Sequence, residues 1–350
     1  NPTQIMPHER GRKIARMDLN ECPYPPSQKV LKAIQDAATG LNLYPDGTCP
    51  RLSALLSELT GVPVDQICYG GGSTQLLTAI AEISVAPGEN LIAPEIVWRR
   101  FQGVFQVVQA DVTAIPNKKD GSIDASGMIS GIGNKTRLSI ILTPNNPTGL
   151  MLTEPELRAI CEQTPENVLL FIDEAYHEFA LHAGGPNAID IVKDRKGPWV
   201  VTRTLSKAFA LAGLRLGYAL CSSQEITNAL RLATSTFNLS GIAEAAAIAA
   251  LEDEGYTQFI LEKNNREMNR IKKGCQDLGL TYMDSVTNFI SIDTGVENGP
   301  VVRALRDRGV RVTTPGYDAT GTYIRASTGL PEDTDAFLSA LQDVLAQQLD

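Results

Sequence analysis

The chain reads as an α/β protein, with a large domain whose mostly parallel sheet is covered by helices on both faces, plus a smaller α+β domain. Three observations predict this. Apolar strands at 138–142 and 168–172 are too uniformly hydrophobic to leave one face wet. From about residue 67 such strands alternate with helical stretches. After about residue 240 the pattern changes to long helices with a few interspersed strands. A chain of 350 residues is long enough for two cores. The expected division is an N-terminal arm and helix at 1–44 packing with the small domain, a large domain at 45–244 and a small domain at 245–350.

Taken in order, Asn20-Glu21-Cys22-Pro23-Tyr24-Pro25-Pro26-Ser27 is extended and proline-rich. Ser27 caps a helix carrying Val30, Leu31 and Ile34, which Gly40 ends. Leu43-Tyr44-Pro45-Asp46-Gly47 is a turn, and 50–60 a second helix. The strand 67–69 runs through Gly70-Gly71-Gly72-Ser73-Thr74 into a helix at 75–85. Residues 91–94 and 107–115 read as strands. Residues 199–204 form another, followed by a polar turn, a Gly-broken apolar run and a further strand after Arg215. In the C-terminal part the pattern gives helices at 241–251 and 254–278, strands at 289–293, 310–313 and 323–326, and a helix at 301–308. A final helix shows Phe337, Leu338, Leu341, Val344 and Leu345 as one stripe.

Composition excludes several classes. Net charge is −9 without a basic block, so neither nucleic acid nor an anionic membrane is expected as partner. Six scattered cysteines lack C-x-x-C spacing, and His177 and His182 are badly spaced for one helical face, so no metal is expected. No apolar run reaches membrane-span length and no secretory signal is read; a cytoplasmic location is expected.

Four features fall at strand ends, where ligands bind in such sheets. Gly70–Thr74 joins strand to helix, and a helix start offers free N–H groups to an anion. It is neither a Walker loop nor G-x-G-x-x-G, and a tight turn without ligand would also explain it. Thr143-Pro144-Asn145-Asn146-Pro147-Thr148-Gly149 is a stiff turn that presents Asn146 in one place. Asp173-Glu174-Ala175-Tyr176 puts at a strand end an acid that needs a partner, whether a pyridinium N–H, a helix start or a cation. Lys207 follows a buried strand with Thr204 and Ser206 beside it and Arg215 eight residues on. A desolvated lysine favours the neutral amine that attacks an aldehyde. Together they suit pyridoxal 5'-phosphate: lysine for the imine, acid for the pyridine nitrogen, Asn and Tyr for the ring oxygen, hydroxyls, Arg and helix start for the phosphate.

The stretches NECPYPPS, LYPDGT, GGGST, PNNPTG, DEAY, TLSKAFALAGLRLG and YIRASTG span nearly the whole chain. In them the sequence resembles the fold type I pyridoxal-phosphate aminotransferases, in the histidinol-phosphate aminotransferase-like branch. The resemblance implies Lys207, Asp173 and Tyr176 as catalytic residues, with Gly72, Ser73, Thr74, Asn146, Thr204, Ser206 and Arg215 around the cofactor. It implies Arg325 on the substrate carboxylate, with Asn146 and Tyr24 also at the substrate. It further implies a homodimer in which Tyr44 reaches the other subunit's cofactor phosphate. The implied reaction moves an amino group from a small-molecule donor, an amino acid or amino-alcohol phosphate, to a 2-oxo acid through a Lys207 Schiff base.

This chain departs from the branch pattern. Thr74-Gln75 stands where members using histidinol phosphate tend to carry an acidic pair. Thr313 stands where they tend to carry a second arginine, with Arg311 two residues earlier. Cys22 stands where some have tyrosine. The changes at Thr313 and Cys22 take a cation and a hydroxyl from a phosphate pocket, so an unphosphorylated substrate is in view. Trp98 and Phe101 are the candidates to stack on the cofactor ring. The same cofactor residues would serve a decarboxylase, lyase or condensing enzyme. A regulator built on this domain would need a DNA-binding segment, and the forty or so residues before the sheet show no helix-turn-helix.

Overall fold

The computed structural model describes residues 14–316 and 320–347. Its centre is a seven-stranded sheet. In chain order the strands are β2 (Ile67–Gly71), β3 (Asn90–Pro94), β4 (Asp111–Ile115), β5 (Thr136–Leu142), β6 (Leu169–Asp173), β7 (Trp199–Thr204) and β8 (Leu216–Cys221), after a short β1 (Ala15–Arg16) in the arm. The spatial order is β2-β8-β7-β6-β5-β3-β4. All neighbours are parallel except β8, which runs against both β7 and β2. Two reversals return β2 to the common direction. The carboxyl ends of β2, β3, β5, β6 and β7 therefore share one rim.

Both faces of the sheet are buried, as the uniform strands require. Ile141, Ile172 and Val201 belong to one core; Ile140, Leu142, Phe171 and Val200 belong to the other. A third core forms around β10 (Phe289–Asp293), which pairs antiparallel with β12 (Tyr323–Ser327) and with β9 (Thr281–Tyr282). Phe337, Leu341 and Val344 of the last helix, Pro331–Ala346, fill it. The arm touches both units. β1 pairs in parallel with β11 (Val310–Arg311), whereas the helix Gln28–Ala37, capped by Ser27 Oγ, lies on the helix Gly241–Leu251. The arm's first thirteen residues lie outside the described ones.

Three local expectations are corrected. Residues 107 and 108 are not strand: the helix Arg100–Val108 buries Phe101, Val104, Phe105 and Val108 at helical spacing and leaves Val107 outside. The β-branched pair at its end masked that period. The helix after β2 begins at Ser73, so Ser73 and Thr74 form its first turn. The strand expected at 310–313 shortens to β11, and Thr313 makes only an isolated bridge to Arg325. Among the described residues, no helix is long and apolar enough to cross a membrane.

Candidate active site

A cavity of about 520 Å³ opens at the shared rim. Ser73, Thr74, Trp98, Asn146, Asp173, Tyr176, Thr204, Ser206, Lys207, Arg215 and Arg325 all line it, with Leu19, Asn20 and Glu21 of the arm. The residues from Ser73 to Arg215 meet there because each ends, follows or precedes a strand at that rim, while Arg325 arrives from β12 and Leu19, Asn20 and Glu21 from the arm.

One end is built for an anion. Gly72 has a φ of +79°, which glycine adopts freely, and begins a twelve-residue helix without a side-chain cap. Its first N–H groups are thus left for a ligand. A Cβ on Gly72 would lie 2.3 Å from Arg215 Nη2. Arg215 donates to Ala212 O at 3.0 Å and lies 3.5 Å from Ser206 Oγ. Thr204 Oγ1 donates to Ser206 Oγ at 2.9 Å. Gly217 on β8 passes beneath, where a Cβ would strike Ser73 N at 2.3 Å.

The other end holds groups short of partners. Asp173 is buried, and its Oδ1 accepts from Ala175 N–H at 3.1 Å and Thr202 Oγ1 at 3.4 Å. Burial pushes its carboxyl up to about 6, against the pull of those two donors. Lys207 Nζ donates to the carbonyls of Asn20 at 3.0 Å and Leu19 at 3.5 Å. Burial, aided by Arg325 and Arg215, brings its amine down to about 8. Tyr176 Oη accepts from Asn20 Nδ2 at 2.8 Å, and its ring lies under Lys207 Nζ. Arg325 on β12 donates to Asn146 Oδ1 at 2.8 Å and to Asp18 O at 3.1 Å, over the Phe289 ring. Its Nε is buried without a partner, and burial lowers its pKa.

Some expected residues stand apart. Tyr24 borders a separate small cavity of about 10 Å³, shared with Lys207, Cys22 and Asn288, and packs edge-on against Phe259. Tyr44 is 84% exposed and stacks on Phe237, away from the cavity. Of the two aromatic candidates, Trp98 lines the cavity while Phe101 is fully buried. Arg311 is turned away, buried in an ion pair with Asp18 at 3.2 Å. Asn20 and Thr202 were not expected. Asn20 sits in the NECPYPPS stretch, and Thr202 lies two residues before Thr204 on the same face of β7, a period-two signal present in the sequence.

Residues 12–341 match the family "Aminotransferase class I and II". The chain belongs to that family. It is 36% identical over 334 residues to a histidinol-phosphate aminotransferase 2 of Pseudomonas fluorescens, covering 95% of this chain and 90% of that one. It is 33% identical over 345 residues to a histidinol-phosphate aminotransferase of Caldicellulosiruptor saccharolyticus, covering 98% and 96%. A crystal structure of histidinol-phosphate aminotransferase from Sinorhizobium meliloti, in complex with pyridoxal-5'-phosphate, superposes with a TM-score of 0.89 at 30% identity, covering 97% and 93%. This aminotransferase is thus a fold type I, pyridoxal-phosphate-dependent transaminase. Its own residues fit the cofactor. Asp173 is a buried carboxylate without a cation, which a pyridinium N–H would supply, and the capless helix start beside Arg215 suits a phosphate.

Proposed function

We propose that the enzyme transfers an amino group from an amino-acid donor to a 2-oxo acid, both gripped by Arg325 through their α-carboxylate. The observation that carries this is Arg325 itself, a guanidinium whose hydrogen bonds go to an amide and a main-chain carbonyl while Nε stays buried and unpaired. A planar carboxylate is the partner that such a fork fits. Bound cofactor supplies an aldehyde and an electron-accepting ring. Asp173 holds the proton on the ring nitrogen. Asn146 and Tyr176 orient the ring oxygen, and Trp98 covers the ring. Ser73, Thr74, Thr204, Ser206, Arg215 and the backbone at Gly72 hold the phosphate. Lys207 Nζ, whose neutral form the lowered pKa of about 8 makes more accessible than in a free lysine, is nucleophile and proton carrier at the donor's α-carbon.

An unphosphorylated donor is supported by the commitment of Arg311 to Asp18. With Lys207 and Arg215 serving the cofactor, Arg325 is the remaining cation among the described residues that line the cavity. A second reading is histidinol phosphate as donor, favoured by the relatives' names. A panel of amino acids and histidinol phosphate, followed by loss of the cofactor's aldehyde absorbance, decides between them. The first reading expects amino acids to react; reaction of histidinol phosphate alone would overturn it.

The assembly belongs to the same proposal. Leu41, Leu43, Tyr44 and Phe237 are all exposed, and Tyr44 stacks on Phe237. A homodimer burying them would bring Tyr44 to the partner's cofactor phosphate and set Tyr24 beside the substrate entrance. The domain division is part of the same proposal, with its first boundary at 44/45 and its second moved from 244/245 to the end of the helix Gly241–Leu251, since Ala243, Ala246, Ala247 and Ala250 all pack into the core of the large sheet.

A further inference from the structure

Asn20 sits where arm, large unit and small unit meet. It is buried, with a φ of +54°, a left-handed backbone that Asn tolerates better than most residues. Its backbone N–H donates to Ser327 Oγ at 2.8 Å, and the Ser327 hydroxyl donates back to Oδ1 at 3.2 Å. That exchange fixes the amide and leaves Nδ2 to donate to Tyr176 Oη at 2.8 Å. Its carbonyl accepts from Lys207 Nζ and from Asn288 Nδ2, each at 3.0 Å. One arm residue thereby ties Ser327 of β12 to the tyrosine and lysine at the sheet rim.

We infer that Asn20 is a positioning residue: its Nδ2–H fills a lone pair of Tyr176 Oη and so aims the phenol's own proton at the cofactor's ring oxygen, while its carbonyl holds Lys207 Nζ when that amine is free. This rests on the reading that Tyr176 faces the ring oxygen. An amide nitrogen cannot accept, so the phenol proton is directed away from Asn20 and toward the cavity that Tyr176 lines. A hydroxyl that already accepts one hydrogen bond is a better donor of another. Burial drives the Tyr176 phenol up to about 12, and the Asn20 bond works against that. A stronger donation stabilises the oxygen's anionic form and keeps the cofactor's absorbance change at lower pH.

The test is a double-mutant cycle read by pH titration of the bound cofactor's absorption band. Asn20→Gly keeps the left-handed backbone and the carbonyl and deletes only the side chain. It is expected to raise the titration midpoint by about half to one pH unit. Tyr176→Phe should raise it further, and the double variant should match Tyr176→Phe alone. Full additivity in the double variant overturns the inference. So does an unmoved midpoint in Asn20→Gly when Tyr176→Phe moves it. An unmoved midpoint in Tyr176→Phe would remove Tyr176 from the ring oxygen, sinking the reading beneath the inference first. If Asn20→Gly does not fold, Asn20→Asp runs the same cycle. It keeps the Ser327 bond but accepts where Asn20 donates, so it should raise the midpoint more with Tyr176 present than in Tyr176→Phe. An equal rise in both overturns the inference.

Discussion

Asp173 and Glu174 are adjacent, equally buried and opposite in fate. Glu174 has its charge answered: Arg203 lies 2.8 Å from Oε2, His177 Nδ1 3.4 Å from Oε1, and Ala188 N–H donates at 3.1 Å. Burial alone would raise its carboxyl; Arg203 and His177 overcome that and bring it down to about 2. Asp173 has only two neutral donors and is pushed up to about 6. Two desolvated cations beside them divide the same way, with Arg203 on Glu174 and Lys207 on main-chain carbonyls. A charge paired within the chain is architecture. A charge left for something else to pair marks the site.

The largest test of this division removes the unpaired cation. Lys207→Ala should fold, since Lys207 gives up only bonds to Leu19 and Asn20 carbonyls. It should lose roughly 10^4-fold or more in transamination and any borohydride-fixed cofactor. A fixed cofactor mapped to another lysine would break the assignment. Next comes the paired side. Glu174→Gln strands the Arg203 guanidinium in the core and should cost about 3–5 kcal/mol in denaturant unfolding. Unchanged stability would mean that the two acids do not differ as argued.

Those roles were unevenly legible in the sequence. DEAY gave two adjacent acids and a strand end, and apolar runs with glycine- and proline-bounded turns gave the parallel sheet and its rim. Which acid would find a cation depended on Arg203, 29 residues later, which the pairing of β6 with β7 carries beside Glu174 as it sets Thr202 beside Asp173, a register that no local rule supplies. Arg311 looked available because spacing places it near Thr313; its buried pairing with Asp18 comes from β1 lying beside β11, almost 300 residues apart. Asn20 was hidden for the same reason, its partner Ser327 being 307 positions away. Periodicity reports which face a residue occupies, whereas long-range pairing decides what it meets there.

A smaller effect, opposite in sign to that of Glu174→Gln, is expected at the neighbour. Asp173 binds its proton more tightly folded than unfolded, so in cofactor-free protein its contribution is full below pH 3.8 and lost as pH rises through about 6. Glu174, with its lowered carboxyl, contributes above pH 4.5 and loses that as pH falls toward 2. Asp173→Asn keeps an oxygen for Ala175 and Thr202 and removes the buried charge. At pH 7 it should stabilise cofactor-free protein by roughly 1–3 kcal/mol, while weakening cofactor binding and slowing turnover. Thermal unfolding of the two proteins at pH 4 and pH 7 checks it; a gain equal at both values would rule out the charge as its source.

The finest test touches neither acid. Thr202 Oγ1 lies 3.4 Å from Asp173 Oδ1, fully buried, and its hydroxyl favours the ionised carboxylate. Thr202→Val has nearly the same shape and deletes that donor. Asp173 should then hold its proton to a pH higher by about half a unit to one unit, the worth of one modest hydrogen bond. In cofactor-free protein the fall in stability should still begin near pH 3.8, where the unfolded carboxyl titrates, but its upper end should move from about 6 up by that amount. With cofactor bound, the pyridinium supplies the counter-charge that the chain withholds, and the shift should shrink. A shift of the same size with and without cofactor would show Thr202 and the ring nitrogen acting independently on Asp173, and would contradict the view that this carboxylate is kept unpaired for the cofactor.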